Sequence, residues 1–307
     1  MFEIDQSLAS RKAEVLCYFR ERAAESLEDI RLRYSLAERK KLAAAMSRAI
    51  TEARLSVIGV LLRVAAEERW RSEQILSGVL LLTYASYVSM IECRNDIWPY
   101  DYMSFSRRVG ELWEPFCVLC FQHSATPLRF FIPPTFAEIK RLLSREMMRY
   151  IADLGITPEQ KNQLARYYDK VWDMVGAGAV KMSLDSHFEH DGRKINIDFK
   201  SGFGSNEKGN TNRLLLVATI YRNLDPSYRS VLLVRSPLES NNSYFKILQS
   251  SGVWEARCGA DAYKAICDFT GFELGVWIKE NVDWRGDFRQ DTAAYLKDND
   301  LFAYLEW

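Results

Sequence analysis

The sequence has no surplus of charge. Its 41 lysines and arginines stand against 41 aspartates and glutamates, so no global field draws the chain to nucleic acid or to an anionic membrane. Such a partner would have to be met by local charge. The sequence also lacks internal repeats and low-complexity linkers, which excludes solenoids and long disordered tethers. Long apolar runs are nearly absent. The longest, Ile75 to Ile91, contains Ser77, Gly78, Thr83, Ser86 and Ser89, falls just short of a membrane span and reads as a buried core helix. The first residues, Met1-Phe2-Glu3-Ile4-Asp5, are acidic where a secretory leader would be basic. The six cysteines (Cys17, Cys93, Cys117, Cys120, Cys258, Cys267) are scattered, and free buried thiols in a reducing cytoplasm are the expectation. What is present is 307 residues with 48% hydrophobic and 13% aromatic content, enough for a sizeable core.

Periodicity divides the chain near residue 155. From Ser7 to about Ile91 the pattern is helical, with Leu55, Ile58, Val60, Leu61, Leu62 and Val64 forming a dense apolar face. From Glu92 to Pro134, Trp98-Pro99-Tyr100, Trp113-Glu114-Pro115 and Pro133-Pro134 predict short broken pieces. A helix is expected from Thr135 to about Leu154. Another should start at Thr157-Pro158-Glu159-Gln160, a capping-box pattern, and stop at Gly176-Ala177-Gly178. Beyond it, Val180 to Phe188 and Lys194 to Phe199 alternate around Asp191-Gly192, a hairpin signal. A helix capped by Asn210 or Thr211 and running to Leu224, then a buried strand at Ser230–Val234, complete the pattern. The expected organisation is a helical region over 1–155, for dimerisation or DNA grip, and an α/β (α+β) core with a mixed tail over 156–307.

The hairpin carries the chemistry. With Asp191-Gly192 at the centre of a type I′ turn, counting outward sets Asp185 opposite Asp198 and Ser183 opposite Lys200. Asp185, His187 and Glu189 then share a face with Lys194, Asn196, Asp198 and Lys200. Met182, Leu184, Phe188, Ile195, Ile197 and Phe199 take the other face, so one side is apolar and the other open and polar. Facing carboxylates repel unless a cation sits between them. A hard divalent ion such as Mg²⁺ would relieve that repulsion. Lys200 beside them can orient or deprotonate a water, or stabilise charge on a phosphate.

This arrangement resembles the PD-(D/E)xK nuclease superfamily, which includes many type II restriction endonucleases. Asp198-Phe199-Lys200 matches the second half of the motif and Asp185 is the candidate for the first, although Leu184 stands where the family often has proline. Glu189 is the alternative acidic residue. The order helix, hairpin, helix, strand over residues 156 to 237 also resembles the family core, a mixed β-sheet flanked by helices. The resemblance implies a Mg²⁺-dependent endonuclease acting on double-stranded DNA, with Asp185, Asp198 and Lys200 catalytic, Asp185 and Asp198 binding the metal, and a homodimer as the working form.

The segment after Lys200, rich in glycine and asparagine, leads into a helix start. Asn206, Lys208, Asn210, Asn212 and Arg213 are its candidates for DNA contact. Glu159, Asp169 and Asp173 are candidates for a further metal ligand, if their helix crosses the hairpin. The basic clusters Arg31–Arg33, Arg39-Lys40-Lys41 and Arg107-Arg108 are interleaved with glutamate and read as solvated helix faces. Cys117, Cys120, Cys93 and His123 have a spacing that zinc sites use, but their apolar neighbours suit buried thiols. Three other readings remain open: a non-catalytic helical binding or scaffold protein, a repair or defence nuclease with the same core, and a different metal-dependent hydrolase.

Overall fold

The computed structural model describes residues 2–175, 180–204, 207–305 and 307; the expected helix stop at Gly176-Ala177-Gly178 lies outside them, as does Asn206. Three long helices, α1 (Lys12–Arg31), α2 (Arg39–Glu67) and α3 (Ser72–Ile97), form the N-terminal region. The apolar run at Ile75–Ile91 is the body of α3. By length and composition α3 would pass for a membrane span, yet 83% of its most apolar stretch is buried. It packs against α1, α2 and the next helix.

That next helix overturns one expectation. Residues 102–122 form a single helix, α4 (Tyr102–Gln122), which runs straight through Pro115. An interior proline costs a helix about 3 kcal/mol. Here Pro115 is exposed, so the Glu111 carbonyl that loses its helical donor is on the solvent side. The inner face buries Trp113, Phe116, Cys117, Cys120 and Phe121. Each large apolar side chain so buried contributes about 1.5–3 kcal/mol, and the sum outweighs the proline. Cys117 and Cys120 are therefore core thiols, and burial raises the pKa of both.

The remaining elements are β1 (Arg129–Phe130), α5 (Phe136–Asp153), α6 (Pro158–Val175), β2 (Ser186–His190), β3 (Arg193–Lys200), α7 (Lys208–Leu224), β4 (Tyr228–Val234), α8 (Ser243–Ser250), β5 (Trp254–Cys258), α9 (Ala260–Thr270), α10 (Leu274–Asn281), α11 (Trp284–Asp287) and α12 (Gln290–Asp298). Thr135 and Thr157 open α5 and α6 with reciprocal bonds to Glu138 and Gln160. The five strands form one mixed sheet in the order β1-β2-β3-β4-β5, antiparallel from β1 to β3 and parallel from β3 to β5. The chain is thus of mixed α/β class.

Asp191 and Gly192 both adopt positive φ, 48° and 71°, as a type I′ turn requires. The register follows: His190 pairs with Arg193, Phe188 with Ile195, and Ser186 with Ile197. One face of the sheet, with Phe188, Ile195, Ile197, Phe199, Val231 and Leu233, belongs to the same apolar cluster as α1 to α4 and the C-terminal helices. The core therefore runs across residue 155. The other face joins a second cluster with Leu214, Val217 and Tyr221 of α7 and Phe136 and Ile139 of α5.

Two further expectations change here. Met182 and Leu184 belong to this second cluster and not to the apolar face of the hairpin, because β2 begins only at Ser186 and the strand alternation does not reach them. The polar face is not open either. His187, Asn196 and Asp198 are buried, because α7 and residues 182–184 lie over it, with Tyr221 donating to the Met182 carbonyl at 2.9 Å.

Candidate active site

Strand β3 sets Asp198 and Lys200 two residues apart, so both project toward the α7 side at its carboxyl end. Asp198 is 1% exposed. Its Oδ2 lies 2.7 Å from Lys200 Nζ, and its Oδ1 lies 3.9 Å from an Arg213 nitrogen. The Lys200 contact is an ion pair without hydrogen-bond alignment. Lys200 directs its bond to the Phe199 carbonyl at 2.9 Å, and Asp198 Oδ2 has no directed donor.

Asp185 arrives differently from its expected place in the ladder. It sits one residue before β2. Its N–H donates to the Ile197 carbonyl at 3.0 Å, and its carboxylate accepts from the Phe199 N–H at 2.7 Å. The side chain thus stands in for a strand carbonyl, which brings it beside Asp198 and Lys200. Ser183 lies beyond the ladder, which ends at Ser186 opposite Ile197. His187 secures the bend: Nε2 accepts from the Leu184 N–H at 2.9 Å and Nδ1 pairs with Asn196 Oδ1 at 2.8 Å. Those partners fix a neutral imidazole with its proton on Nδ1. Burial lowers the His187 pKa accordingly.

A third carboxylate was not among the sequence candidates. Glu114 of α4 lies close enough to act electrostatically on both Asp185 and Lys200. Burial raises the Asp185 pKa, with Glu114 adding to the rise, while Lys200 and the Phe199 N–H oppose it. Burial likewise raises Asp198, and the negative charge of Asp185 adds to it. Burial works to lower Lys200, but Asp198, Asp185 and Glu114 outweigh it and raise its pKa. Lys200 is therefore a firmly held ammonium, suited to stabilising negative charge and unsuited to taking a proton. Two contacts bring α4 this close. Trp113 packs edge-on to Phe199 with centroids 5.9 Å apart. Gly110, one turn before Glu114, leaves only 3.0 Å between a would-be Cβ and Ser201 Oγ.

Other candidates fall elsewhere. Glu189 pairs with Arg129 at 3.3 Å and stands opposite Lys194, about 13 Å along the strand from Asp198. Helix α6, with Glu159, Asp169 and Asp173, packs on α5 and does not cross the hairpin; α4 packs on β3 instead. Helix α7 starts at Lys208 with Glu207 as its cap residue, ahead of the expected Asn210 or Thr211. Lys208 and Asn212 are exposed. Asn210 donates to Glu207 at 2.9 Å. Arg213 spans from the Lys181 carbonyl to Asn210, each at 3.4 Å, beside Asp198. The described part of the loop is anchored: buried Asn241 accepts from the Phe203 N–H and donates to the Ser236 and Pro237 carbonyls.

Among the described residues no group of three or more His, Cys, Asp or Glu converges as a ready metal cluster. The carboxylates are instead drawn toward the Lys200 ammonium. The donor set still suits a hard cation, being all oxygen, with one buried carboxylate oxygen lacking a directed donor. No family model matches the chain, and no curated protein or solved structure is significantly similar to it.

Proposed function

We propose that the chain is a Mg²⁺-dependent endonuclease of the PD-(D/E)xK type that hydrolyses phosphodiester bonds of double-stranded DNA, in the manner of a type II restriction endonuclease. The observation that carries this reading is the meeting of Asp185, Asp198 and Lys200 with Glu114 at the carboxyl end of β3. In open sheets that is where ligands are received.

In this reading Asp185 and Asp198, with Glu114 completing the oxygen set, would hold the metal. Bound there, Mg²⁺ supplies Lewis acidity toward a phosphoryl oxygen and lowers the pKa of a coordinated water. Lys200, kept charged by its carboxylate neighbours, supports the negative charge that builds on the phosphate. Arg213, at the edge of the same carboxylates, holds the strand. His187 and Asn196 fix the bend that places Asp185. Cutting both strands calls for two such sites, hence a homodimer.

The test is cleavage of mixed-sequence duplex DNA by wild type with Mg²⁺, by wild type with EDTA, and by Lys200→Ala. Discrete fragments that need both Mg²⁺ and Lys200 support the restriction-type reading. A smear with the same dependence points to a repair or defence nuclease with the same core. A second reading rests on the burial of Asp198 at 1% exposure against Lys200: a structural ion pair inside a non-catalytic binding protein. It expects no cleavage from well-folded protein.

A further inference from the structure

Arg94, in the last turn of α3, is 8% exposed. Its guanidinium lies 4.3 Å from the Trp98 ring and 4.7 Å from the Tyr100 ring. Nη1 is fully buried and, among the described residues, donates to nothing and has no carboxylate within ion-pair distance. Ring faces recover only part of the hydration that a buried cation loses. Arg20, half-buried on α1, is supplied with a carboxylate, Glu92 at 2.7 Å. Arg94 has none within that distance; burial and the like charge of Arg108 lower its pKa, while Tyr100 and the more distant Asp101 oppose the fall.

The same side chain lines a groove of about 670 Å³ between α2, the end of α3 and the first half of α4. Lys40, Arg107 and Arg108 line it too, and its single lining carboxylate, Glu111, is shared by Arg107 at 2.9 Å and Arg108 at 3.2 Å. Trp98, 40% exposed, forms an aromatic wall. Four cations, one carboxylate and an indole face describe a site for an anion attached to a flat ring.

We infer that this groove binds the phosphate of a nucleotide, with Arg94 as the buried anchor and Arg107 and Arg108 closing on the phosphate oxygens. The chemistry is shared by a free nucleotide and by one unit of a nucleic acid strand. Arg107 precedes Glu114 by seven residues on α4, about 10 Å at 1.5 Å per residue. That is about three nucleotide steps at 3.4 Å each. If the proposed cleavage reading holds, a strand lying along α4 would reach both places; the anion site itself does not rest on that reading.

The test is binding in EDTA, at low salt, of inorganic phosphate, a nucleoside 5′-monophosphate and a short labelled oligonucleotide. Calorimetry serves the first two and fluorescence anisotropy the third. Wild type is compared with Arg94→Met and with the exposed double variant Arg107→Gln/Arg108→Gln. Arg94→Met should weaken binding about 10- to 100-fold, the range for a charged hydrogen bond, while leaving the melting temperature of the ligand-free protein unchanged or higher. Monophosphate binding marks a free-nucleotide site. Binding of the oligonucleotide alone, with a salt dependence about one unit shallower in Arg94→Met, marks a strand. No binding of any probe, or either variant binding as tightly as wild type, overturns the inference. If Arg94→Met does not fold, the double variant decides. Because the readout is binding in EDTA, failure of DNA cleavage elsewhere leaves it standing.

Discussion

The two faces of the sheet are built from neighbouring residues of the same strands and are held by different physics. Under α4, β3 presents Ile195, Ile197 and Phe199, each at most 1% exposed, to an aromatic cluster with Trp113, Phe121 and Phe188. Under α7, the alternate residues are Asn196, Asp198 and Lys200. Their burial is offset by pairing, Asn196 with His187 and Asp198 with Lys200, while Asn196 Nδ2 and Asp198 Oδ2 keep no directed hydrogen bond. The apolar face gains from area and tolerates small changes of shape. The polar face depends on pairing, so removing one partner there costs more than removing both.

That contrast can be broken at graded points. The largest expected effect is on the apolar side. Phe199→Ala removes a ring packed on Trp113 and Phe121 and should cost about 3–5 kcal/mol, read from the urea midpoint. Next comes Lys200→Met, which leaves Asp198 buried beside Asp185 without its ammonium and should cost about 3 kcal/mol. The double variant Asp198→Leu/Lys200→Met should recover most of that loss. A double variant as unstable as the sum of its parts would erase the distinction between the faces.

A smaller effect sharpens the comparison through pH. Burial holds the His187 pKa below its usual 6.5. Between the folded value and 6.5 the unfolded chain binds the proton and the folded chain does not. The His187 contribution is therefore complete above 6.5 and is lost as pH falls toward the folded value, at up to about 1.4 kcal/mol per pH unit. Urea midpoints from pH 7.5 to 5 should show this slope in wild type, and His187→Gln should reduce it, leaving the share of His123, whose pKa burial also lowers. The smallest effect belongs to Glu189, whose pair with Arg129 is exposed. Glu189→Gln should change stability by under about 1 kcal/mol and leave divalent-ion binding unchanged.

The sequence made the hairpin legible because turn chemistry and register are local: Asp191-Gly192 needs positive φ, and counting from it reaches Ser186 opposite Ile197. Thr135 and Thr157 were legible for the same reason, their capping partners lying three residues on. So was α3, from the length of its apolar run. Asp198 and Lys200 share their expected face, and Asp185 comes beside them, although through a bend and not through the ladder. What escaped was decided by packing between distant segments. Pro115 reads as a break, yet the buried aromatic side of α4 carries the helix through it, and Glu114 was hidden with that helix. The carboxylates of α6 were the natural alternatives in chain order, but α6 pairs with α5 and leaves the sheet to others. Alternation also cannot report that α7 covers the polar face.

The proposed function stands or falls on whether Glu114, Asp185 and Asp198 take up a divalent ion beside Lys200. The most direct measurement is calorimetric titration of metal-free protein with Mn²⁺ at pH 7.5, for wild type, Asp198→Asn and Glu114→Gln. One site is expected in wild type, with binding lost in Asp198→Asn and weakened about tenfold or more in Glu114→Gln. Wild type that takes up no Mn²⁺, or variants that bind it as wild type does, would contradict it.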